Sequence, residues 1–315
     1  MKSNQPKVSV VMTVFNSEKY LADAIESILS QTFKDFELII LDDGSTDKSL
    51  SIIKKYALTD RRIRILSRKN KGISESANEA IALARGEYIA RMDSDDISMP
   101  DRLARQLAYL QDNKKCICVS GAIHVIDEKA RFLTTLFLPE RNEDIQALLL
   151  EGHCSIANPA VMFSMKYFNL VGGYDPTFKV AEDFDLWLKL GERGELGNLK
   201  DPMLKYRLHG KSISELNAEL TCGNIMIASE NAFKRRGISG IAKKNDYFRP
   251  TKEKESKIKF FMQYGWWAFN SKQDRTALIY GLKVISIAPL KKEGWIMILV
   301  ILKRQVINKW FFHEI

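Results

Sequence analysis

The chain has 315 residues, of which 28% are charged and 45% hydrophobic, and its formal net charge is +9. This length exceeds that of most single domains, and the hydrophobic content excludes a disordered chain. Residues 233–315 hold 18 Lys and Arg against 6 Asp and Glu, whereas residues 1–232 hold 30 against 33. The basic excess therefore lies in the last quarter of the chain and indicates an anionic partner for it, either a membrane surface or nucleic acid.

The cysteines and the N-terminal sequence indicate a cytoplasmic protein. Four cysteines in 315 residues are too few for a disulfide framework, and no C-x-x-C is present. Residues 1–6 lack the apolar stretch of a signal peptide. No uncharged apolar run approaches the roughly 18 residues that a membrane-spanning helix needs.

The first hundred residues alternate short apolar strands with amphipathic helices. The pattern predicts strands at 7–14, 36–41, 63–66 and 87–92, and helices at 17–30, 47–57 and 74–84. Such alternation is typical of βαβ units around a parallel sheet, an α/β fold. Ligands of these sheets bind beyond the carboxyl ends of the strands, where polar residues follow three of the predicted strands.

Beyond residue 98 the alternation loosens. The pattern predicts helices at 99–112, 143–150, 182–190 and 215–236, and strands at 116–126, 132–138 and 158–163. A basic linker follows at 237–250, and three apolar helices are predicted at 256–270, 275–288 and 292–311. We therefore predict a catalytic domain over residues 1–236 and a basic, amphipathic helical tail over residues 237–315.

The segment Asp93-Ser94-Asp95-Asp96 places carboxylates at the exit of a predicted strand. Hard oxygen ligands without a neighbouring Cys or His suit Mg²⁺ or Mn²⁺ better than zinc, and Mg²⁺ commonly shares its site with substrate phosphates. A solvated turn whose acids cap the next helix would explain the same residues structurally.

Two further acidic pairs have a structural and a functional interpretation. Asp42-Asp43 could form a turn before a helix, or accept hydrogen bonds from a base or ribose. Glu182-Asp183 could be acids that are stabilised by the positive N-terminal end of a helix, or one of them could act as the general base for an acceptor hydroxyl. His209 could be a third metal ligand, a phosphate donor or a structural residue. Neither G-x-G-x-x-G after the first strand nor a P-loop is present, which disfavours dinucleotide oxidoreduction and P-loop chemistry.

The order and spacing of these segments are more specific than any one of them. The segments are VSVVMTVFN (8–16), SILSQTF (27–33), FELIILDDGSTD (36–47), NKGISESAN (70–78), GEYIARMDSDDISMPDR (86–102) and EDFDLW (182–187). Together they resemble family 2 glycosyltransferases of the bacterial surface-polysaccharide type, over about residues 6–215. The resemblance implies the GT-A fold, which is Rossmann-like with a mostly parallel twisted sheet and helices on both faces, here with a C-terminal helical extension. It also implies an inverting transferase that uses a nucleotide-diphosphate sugar, usually UDP-linked, with Mn²⁺ or Mg²⁺.

The resemblance assigns the donor site residue by residue. The residues that it implies for nucleotide binding are Thr13, Phe15, Glu18, Asp42, Asp43, Gly72, Asn78, Asp93 and Ser94. Asp43 matches the acid that reads the uracil, and Thr13, Phe15 and Glu18 match the first nucleotide-binding loop. Gly72 and Asn78 fall in the segment that shapes the pocket.

The resemblance also assigns the metal and the catalytic groups. Asp93 and Asp95 match the D-x-D motif, Asp95 as the more direct metal ligand and Asp93 nearer the ribose. Asp183 matches the catalytic base, with Glu182 nearer the acceptor. The Arg-x-His of Arg207 and His209 recurs in part of the family and closes on the diphosphate, and Asn158-Pro159 resembles a loop that lines the sugar and acceptor site.

The acceptor is expected to be a saccharide or a lipid-linked intermediate. The Q-x-x-R-W motif of the large processive members is absent, because Trp187 is followed by Leu188-Lys189-Leu190. This absence favours a non-processive hexosyltransferase over a synthase that extrudes its own polymer.

One helix face of the tail carries Trp295, Leu299, Leu302, Val306 and Trp310, and Lys303, Arg304 and Lys309 flank it. Such a face is typical of a helix that lies in a membrane interface. Packing on neighbouring helices or on a second subunit of a homo-oligomer is the alternative. We expect a peripheral protein on the inner face of the cell membrane.

Three rival functions remain at this point. A sugar-nucleotide pyrophosphorylase would need a Gly-rich, basic loop after the first strand, which residues 15–18 lack. A nucleic-acid-binding protein would need a basic recognition domain with stacking aromatics, and residues 1–232 are slightly acidic; we therefore expect no nucleic acid partner. A catalytically weak glycan- or nucleotide-binding relative would not need the intact Asp43, Asp95 and Asp183.

Overall fold

A computed structural model describes residues 5–209, 218–241 and 254–312 of the chain. The chain divides into two compact units. The first comprises Met1–Ile123, Leu136–Tyr206 and Glu219–Asp246, and the second comprises His124–Thr135, Arg207–Ala218 and Tyr247–Ile315. The domain boundary between residues 236 and 237 stays a prediction, and most of the predicted linker lies outside the described residues.

The first ninety residues form the parallel part of the sheet. The elements are β1 (Val8–Val14), α1 (Leu21–Leu29), β2 (Phe36–Asp42), α2 (Ser49–Thr59), β3 (Ile63–Ser67), α3 (Ile73–Ala82) and β4 (Tyr88–Asp93). Val8 pairs with both Phe36 and Tyr88, and Leu38 pairs with Ile63, which gives the strand order β3-β2-β1-β4 with all neighbours parallel. The predicted βαβ alternation is confirmed.

The rest of the sheet is antiparallel. Its elements are β5 (Ile97–Ser98), α4 (Arg102–Asp112), β6 (Cys116–Ile126), β7 (Phe132–Leu136), α5 (Asn142–Leu150), a 3-10 helix (Asn158–Ala160), β8 (Met162–Ser164), α6 (Met165–Leu170), α7 (Glu182–Gly191), β9 (Glu195–Arg207) and α8 (Ala218–Arg236). Strand β8 runs antiparallel to β4 and β6, and β5 runs antiparallel to β9. Within the described residues the nine strands therefore form a mixed sheet.

Two segments differ from the pattern in the sequence. The strand predicted at 158–163 is wrong in its first half, because Asn158–Ala160 is a 3-10 helix and β8 starts only at Met162. Pro159 lacks a backbone N–H and holds a fixed φ, which suits a tight turn rather than a strand. The long strand β9 was not predicted, since Gly197 and Asp201-Pro202 interrupt its alternation.

The core follows from strands that are apolar on both faces. Every residue of β2 and all but one residue of β1 are buried. Helix α1 buries Leu21, Ala24, Ile25 and Ile28, whose spacing places them on one face. Burial of such side chains stabilises the fold by about 1.5–3 kcal/mol each for the larger ones. The strand ends are thus carried by strands of the buried apolar core.

The second unit contains the three tail helices, α9 (Lys254–Asn270), α10 (Asp274–Ile287) and α11 (Lys292–Phe312), which confirms the predicted helices. Helices α10 and α11 approach closely, since a Cβ on Gly294 would lie 2.8 Å from Ile285. The β6–β7 turn is held to α10, because the Tyr280 hydroxyl donates to Asp127 Oδ2 (2.8 Å) and Arg131 Nε donates to the same oxygen (2.7 Å).

One face of α11 is exposed. Met297 and Ile301 are buried, whereas four residues of the predicted apolar face are 47–65% exposed: Trp295, Leu299, Leu302 and Val306. We call these four residues the tail stripe; the side chains of Lys309 and Trp310 lie outside the described residues. Of the helices in the described parts of the chain, none combines the length and the apolar character that crossing a membrane requires.

Candidate functional site

The carboxyl ends of β1, β2 and β4 meet at one edge of the sheet. Thr13 pairs with Asp93 of β4 and with Leu41 of β2, and the next residue, Val14, pairs with Asp42. The structure therefore brings Thr13, Asp42 and Asp93 together at the edge where ligands of parallel sheets bind.

The loop after β1 is fixed by contacts with the loop after β2. Asn16 adopts a left-handed φ of 50° and donates its backbone N–H to Ser45 Oγ (3.0 Å). The Glu18 carboxylate accepts the backbone N–H of Lys48 at the start of α2 (2.9 Å). Phe15 leaves half of its surface exposed, so its ring is available to stack on a planar base.

Asp42 and Ser94 shape this edge through protein contacts. Asp42 is buried, its Oδ1 accepts the N–H of Ser45 (3.2 Å) and its Oδ2 accepts the hydroxyl of Ser67 (2.8 Å). The Ser94 hydroxyl lies 2.7 Å from the Ser17 hydroxyl and so links the loop after β4 to the loop after β1.

Asp43 is surrounded by donors. Its Oδ1 accepts the N–H of Lys71 (2.9 Å) and an N–H of the Arg68 guanidinium, and its Oδ2 accepts the N–H of Gly72 (3.0 Å). Gly72 has a φ of 96°, which favours glycine. A carboxylate offers about four acceptor positions, and three donors of the protein occupy positions on Asp43.

Arg68 belongs to the site, although the sequence reasoning missed it. Burial disfavours its charged form, but hydrogen bonding to Glu79 (2.5 Å) and the charge of Asp43 together raise the pKa of Arg68. The guanidinium therefore stays charged and fixes the Asp43 carboxylate. The only signal in the sequence was an arginine two residues after the end of a predicted strand.

Asn78 acts through the turn at 172–175. Its Nδ2 donates to the carbonyl of Tyr174 (2.7 Å), and its Oδ1 accepts the N–H of Tyr174 (3.0 Å). A Cβ on Gly173, whose φ is 73°, would lie 2.8 Å from Asn78 Oδ1. The amide of Asn78 thus anchors this turn against α3.

Three carboxylates cluster at the end of β4. One oxygen from each of Asp93, Asp95 and Asp96 lies within 4.8 Å of the others. Burial raises the pKa of Asp93 to about 6, and the charges of Asp95 and Asp183 act in the same direction. This all-oxygen set fits Mg²⁺ or Mn²⁺, which bind carboxylates at about 2.1 Å. The predicted ligands Asp93 and Asp95 therefore lie together, and Asp96 adds a third carboxylate.

Two buried arginines accompany the acidic cluster, and the sequence reasoning missed both. Arg91 Nη2 lies 3.8 Å from Asp93 Oδ1, and Arg102 Nη2 donates to the Arg91 carbonyl (2.7 Å). Burial lowers the pKa of Arg102 to about 9, against the opposing charges of Asp96 and Asp93. Their charges partly compensate the crowded carboxylates. The signal for Arg91 was a charged residue inside an otherwise apolar strand.

Helix α7 begins with the predicted catalytic acids. Ala181 precedes it in the left-handed region (φ 59°, ψ 25°), and Asp183 Oδ1 accepts the N–H of Phe184 (2.8 Å). Burial, and next the charge of Asp183, raise the pKa of Glu182 to about 8. Burial also raises the pKa of Asp183, whose charge acts on Asp93. The α7 acids and the D-x-D acids thus form one electrostatic cluster.

Asn158 carries an unused polar atom. It starts the 3-10 helix before β8, and its buried Oδ1 has no hydrogen-bond partner among the described residues. The neighbouring Val161 carbonyl accepts hydrogen bonds from Arg102 Nη2 (3.1 Å) and from the backbone N–H of Arg91 (3.0 Å). The predicted loop thus adjoins the strand that carries the acidic cluster.

Arg207 and His209 belong to the second unit. Arg207 is the buried last residue of β9, and His209 follows two residues later. The rest of the predicted motif, 210–214, lies outside the described residues. The roles of Arg207 and His209 at the diphosphate and the metal stay predictions.

The sequence is similar to a known enzyme family. Residues 9–169 match the family model described as glycosyl transferase family 2. The chain is 37% identical over 211 residues to the candidate glycosyltransferase EpsE of Bacillus subtilis, an alignment that covers 64% of this chain and 73% of EpsE. It is 36% identical over 209 residues to the O-antigen biosynthesis glycosyltransferase WbnJ of Escherichia coli, covering 65% of this chain and 81% of WbnJ.

Two solved structures resemble this one in fold. TarS of S. aureus in complex with UDP-GlcNAc superposes with a TM-score of 0.56 at 18% identity and covers 89% of this chain and 84% of TarS. The mannosyltransferase PcManGT of Pyrobaculum calidifontis, in complex with GDP-Man and Mn²⁺, superposes with a TM-score of 0.56 at 15% identity. This superposition covers 94% of this chain and 80% of PcManGT. At these identities the likeness concerns the fold alone.

Proposed function

The chain is a glycosyltransferase of family 2 with the GT-A fold, and from this premise we propose that it transfers a hexose from a nucleotide-diphosphate sugar with inversion at the anomeric carbon. The observation that carries this proposal is the acidic cluster, in which the carboxylates of Asp93, Asp95 and Asp96 share one environment with Asp183. A single displacement needs charge stabilisation at the leaving diphosphate and a base at the acceptor hydroxyl. The cluster supplies residues for both tasks.

We propose a uridine nucleotide as the donor. Asp43 keeps one acceptor position, and uracil offers a single ring N–H that a fixed carboxylate oxygen can accept. Phe15 supports the proposal with a ring that can stack on the base. TarS was solved with UDP-GlcNAc and PcManGT with GDP-Man, so the fold accommodates both bases and the choice depends on the side chains of this chain.

Asp95 and Asp93 would hold Mn²⁺ or Mg²⁺, with Asp96 as a further oxygen ligand. The bound cation would stabilise the negative charge that gathers on the leaving diphosphate. Arg91 and Arg102 would help to keep the carboxylates together at this site, because their positive charges offset part of the repulsion between them. The solved complex of PcManGT contains Mn²⁺, which supports this choice of ion.

Asp183 would take the proton from the acceptor hydroxyl as that hydroxyl attacks. Its raised pKa makes it a stronger base than an exposed aspartate, while the N–H of Phe184 fixes one of its oxygens. Glu182, on the same turn of α7, would lie on the acceptor side. The anomeric carbon passes through an oxocarbenium-like state, as it does in glycosidases.

We propose that the acceptor is a saccharide or a lipid-linked saccharide in the synthesis of a cell-surface polysaccharide, on the cytoplasmic side of the membrane. The similarity to WbnJ supports this pathway class. The tail stripe would lie in an anionic lipid surface, because exposed lysines lie beside it on the same helix. Lys292 lies three residues before Trp295, and Lys303 lies four residues after Leu299. Basic residues near such a surface contribute about 1 kcal/mol each.

A donor panel tests the enzymatic proposal. Purified protein is incubated with UDP- and GDP-sugars in Mn²⁺ or in EDTA, and the released nucleoside diphosphate is measured. We expect Mn²⁺-dependent release of UDP from a UDP-hexose. A pyrophosphorylase would instead form pyrophosphate from a nucleoside triphosphate and a sugar phosphate, and a mere binding protein would bind the donor without releasing a nucleotide.

Sedimentation with vesicles tests the tail. The double variant Leu299→Glu/Leu302→Glu should stay in the supernatant with vesicles that contain phosphatidylglycerol, whereas wild type sediments. Gln305→Glu, at an exposed position of the same helix outside the stripe, is the matched control. If the stripe variant changes the molecular mass in solution and leaves sedimentation unchanged, the stripe is the contact of a homo-oligomer instead.

A further inference from the structure

The hydroxyl of Tyr174 is a buried polar group that the proposed chemistry leaves unused. Tyr174 is 1% exposed, and its hydroxyl has no hydrogen-bond partner within the described part of the chain. A buried hydroxyl without a partner destabilises a fold, because its lost hydration is not replaced. Phenylalanine would fill the same space without that cost. We therefore look for a hydrogen-bond partner that the hydroxyl gains in another state of the protein.

The ring of Tyr174 is held firmly in place. Asn78 bonds to both backbone groups of Tyr174 (2.7 and 3.0 Å), and the Phe168 ring packs edge-on at a centroid distance of 5.7 Å. Gly173 leaves no room for a side chain beside this clamp. These contacts fix the position of the ring and hence of its hydroxyl.

Packed rings link Tyr174 to α7: Phe168 stacks on Phe163 at a centroid distance of 5.3 Å, and Phe163 packs on Trp187 of α7 at 6.2 Å. The hydroxyl also experiences the charges of the acidic cluster. Burial raises the pKa of Tyr174 above its ordinary value; the charge of Arg91 opposes this, and the charges of Glu182, Asp183 and Asp93 reinforce it. The phenol consequently keeps its proton at neutral pH. The hydroxyl therefore remains a hydrogen-bond donor near the carboxylates of the acidic cluster.

We propose that Tyr174 is a positioning residue whose O–H donates to the carboxylate of Glu182 when the substrates are bound. Of the two predicted catalytic acids, Glu182 is the more buried, and Asp183 already has one oxygen on the N–H of Phe184. The bond would hold the Glu182 carboxylate away from Asp183 and leave Asp183 free to face the acceptor hydroxyl. This inference rests on the proposed function, because it concerns the geometry of the proposed catalytic pair.

The test is Tyr174→Phe, which keeps the ring and deletes only the hydroxyl. We expect the Tm of the ligand-free protein to stay the same or rise, kcat to fall about tenfold, which is the loss of one hydrogen bond to a charged group, and the Kd of the donor to stay unchanged. The matched control is Tyr280→Phe, since Tyr280 is equally buried but its hydroxyl donates to Asp127 (2.8 Å). The control should lower the Tm and leave kcat for a soluble acceptor unchanged.

A double-mutant cycle identifies the partner. If Tyr174 acts through Glu182, then Tyr174→Phe in a Glu182→Met background, which has no side-chain oxygen to accept the bond, should change kcat less than twofold. A full tenfold loss in that background would overturn the assignment to Glu182.

Other outcomes are equally decisive. A Tyr174→Phe variant that lowers the Tm as Tyr280→Phe does, with kcat unchanged, would make the tyrosine purely structural. A weaker donor Kd with unchanged kcat would make it a donor contact. A wild type that releases no nucleotide from any donor defeats the proposed function itself, whereas normal turnover by both wild type and Tyr174→Phe defeats only the positioning role.

Discussion

Two groups of acids line the same edge of the sheet, and their surroundings differ. Asp42 and Asp43, which we propose to lie on the nucleotide side and call the nucleotide-side acids, accept hydrogen bonds from backbone N–H groups, a hydroxyl and a guanidinium. The acids that we propose for the chemistry, the chemistry-side acids, are Asp93, Asp95, Glu182 and Asp183. Burial raises the pKa of Asp93, Glu182 and Asp183, and the charges of neighbouring acids raise it further at Asp93 and Glu182. Protein donors occupy most acceptor positions of the first group, whereas burial raises the pKa of three acids of the second.

The difference supports separate roles for the two groups, one in nucleotide binding and one in the transfer chemistry. A satisfied carboxylate is rigid and can select a nucleotide before any chemistry begins. Crowded, buried carboxylates destabilise the protein in the absence of ligands, because their charges repel one another. A bound cation, or a proton taken from the acceptor hydroxyl, reduces this repulsion. Variants in the two groups should therefore fail in different ways.

The largest expected effect is that of Asp183→Asn. Without a general base, kcat should fall by about 10³- to 10⁴-fold, while the Kd of the UDP-sugar should stay within about twofold. Single-turnover kinetics and calorimetry on the same sample measure both. Asp144→Asn is the matched control, because Asp144 is also a first-turn helix acid but is exposed. Loss of donor binding in a folded Asp183→Asn protein would remove Asp183 from the role of base.

Asp95→Ala should have the next largest effect. Removal of a metal ligand should lower kcat by about 10²- to 10³-fold, because the charge on the leaving diphosphate loses part of its stabilisation. The rate should no longer respond to added Mn²⁺. Asp112→Ala, at the exposed end of α4, is the control. Turnover by Asp95→Ala that Mn²⁺ still stimulates would exclude Asp95 as the ligand.

Asp43→Asn should act on binding rather than on chemistry. The loss of one charge-assisted hydrogen bond to the base should raise the Kd of UDP about tenfold, with kcat at saturating donor nearly unchanged. Calorimetric titration with UDP measures the effect, and titration with GDP serves as the comparison. A fall in kcat with an unchanged Kd would place Asp43 on the chemistry side and contradict the division.

The smallest effect concerns stability and pH. The folded protein holds a proton on Glu182 up to pH about 8, whereas the unfolded chain loses it near pH 4.5. The free energy of unfolding in EDTA should therefore fall as the pH rises through this window, and the Tm should drop by about 5 °C between pH 5 and pH 8. Thermal melts of wild type and Glu182→Gln measure it, and the variant should show a smaller drop. A Tm that rises with pH over this window would contradict the crowded-acid description.

The parallel part of the fold and the position of the acids could be predicted from the sequence. Buried parallel strands give continuous apolar runs, and the polar residues that end them stand out, as Asp42 and Asp93 do. Strand β9 could not be predicted, because Asp201-Pro202 in its middle is a turn signal that pairing with other strands overrides. The 3-10 helix at Asn158–Ala160 is likewise a local effect of proline inside an apolar run.

The contacts within the site were less accessible. The family resemblance indicated Asp43 and Asp95. In contrast, the buried Arg91 on β4 acts on Glu182 and Asp183 of α7, about ninety residues further along the chain. Asn78 fell in a segment expected to shape the nucleotide pocket, and its amide bonds to Tyr174, 96 residues further along the chain. Such long-range pairings depend on the folded topology.

Mn²⁺ binding tests the central claim most directly, which is that the chemistry-side acids form the cation site. Electron paramagnetic resonance of Mn²⁺ titrated into wild type, Asp95→Asn and Asp43→Asn, each saturated with UDP, reports the free ion. We predict that Asp95→Asn weakens Mn²⁺ binding at least tenfold, and that Asp43→Asn binds Mn²⁺ as wild type does once UDP is saturating. Equal Mn²⁺ affinity in wild type and Asp95→Asn, or equal losses in the two variants, would contradict the division of the site.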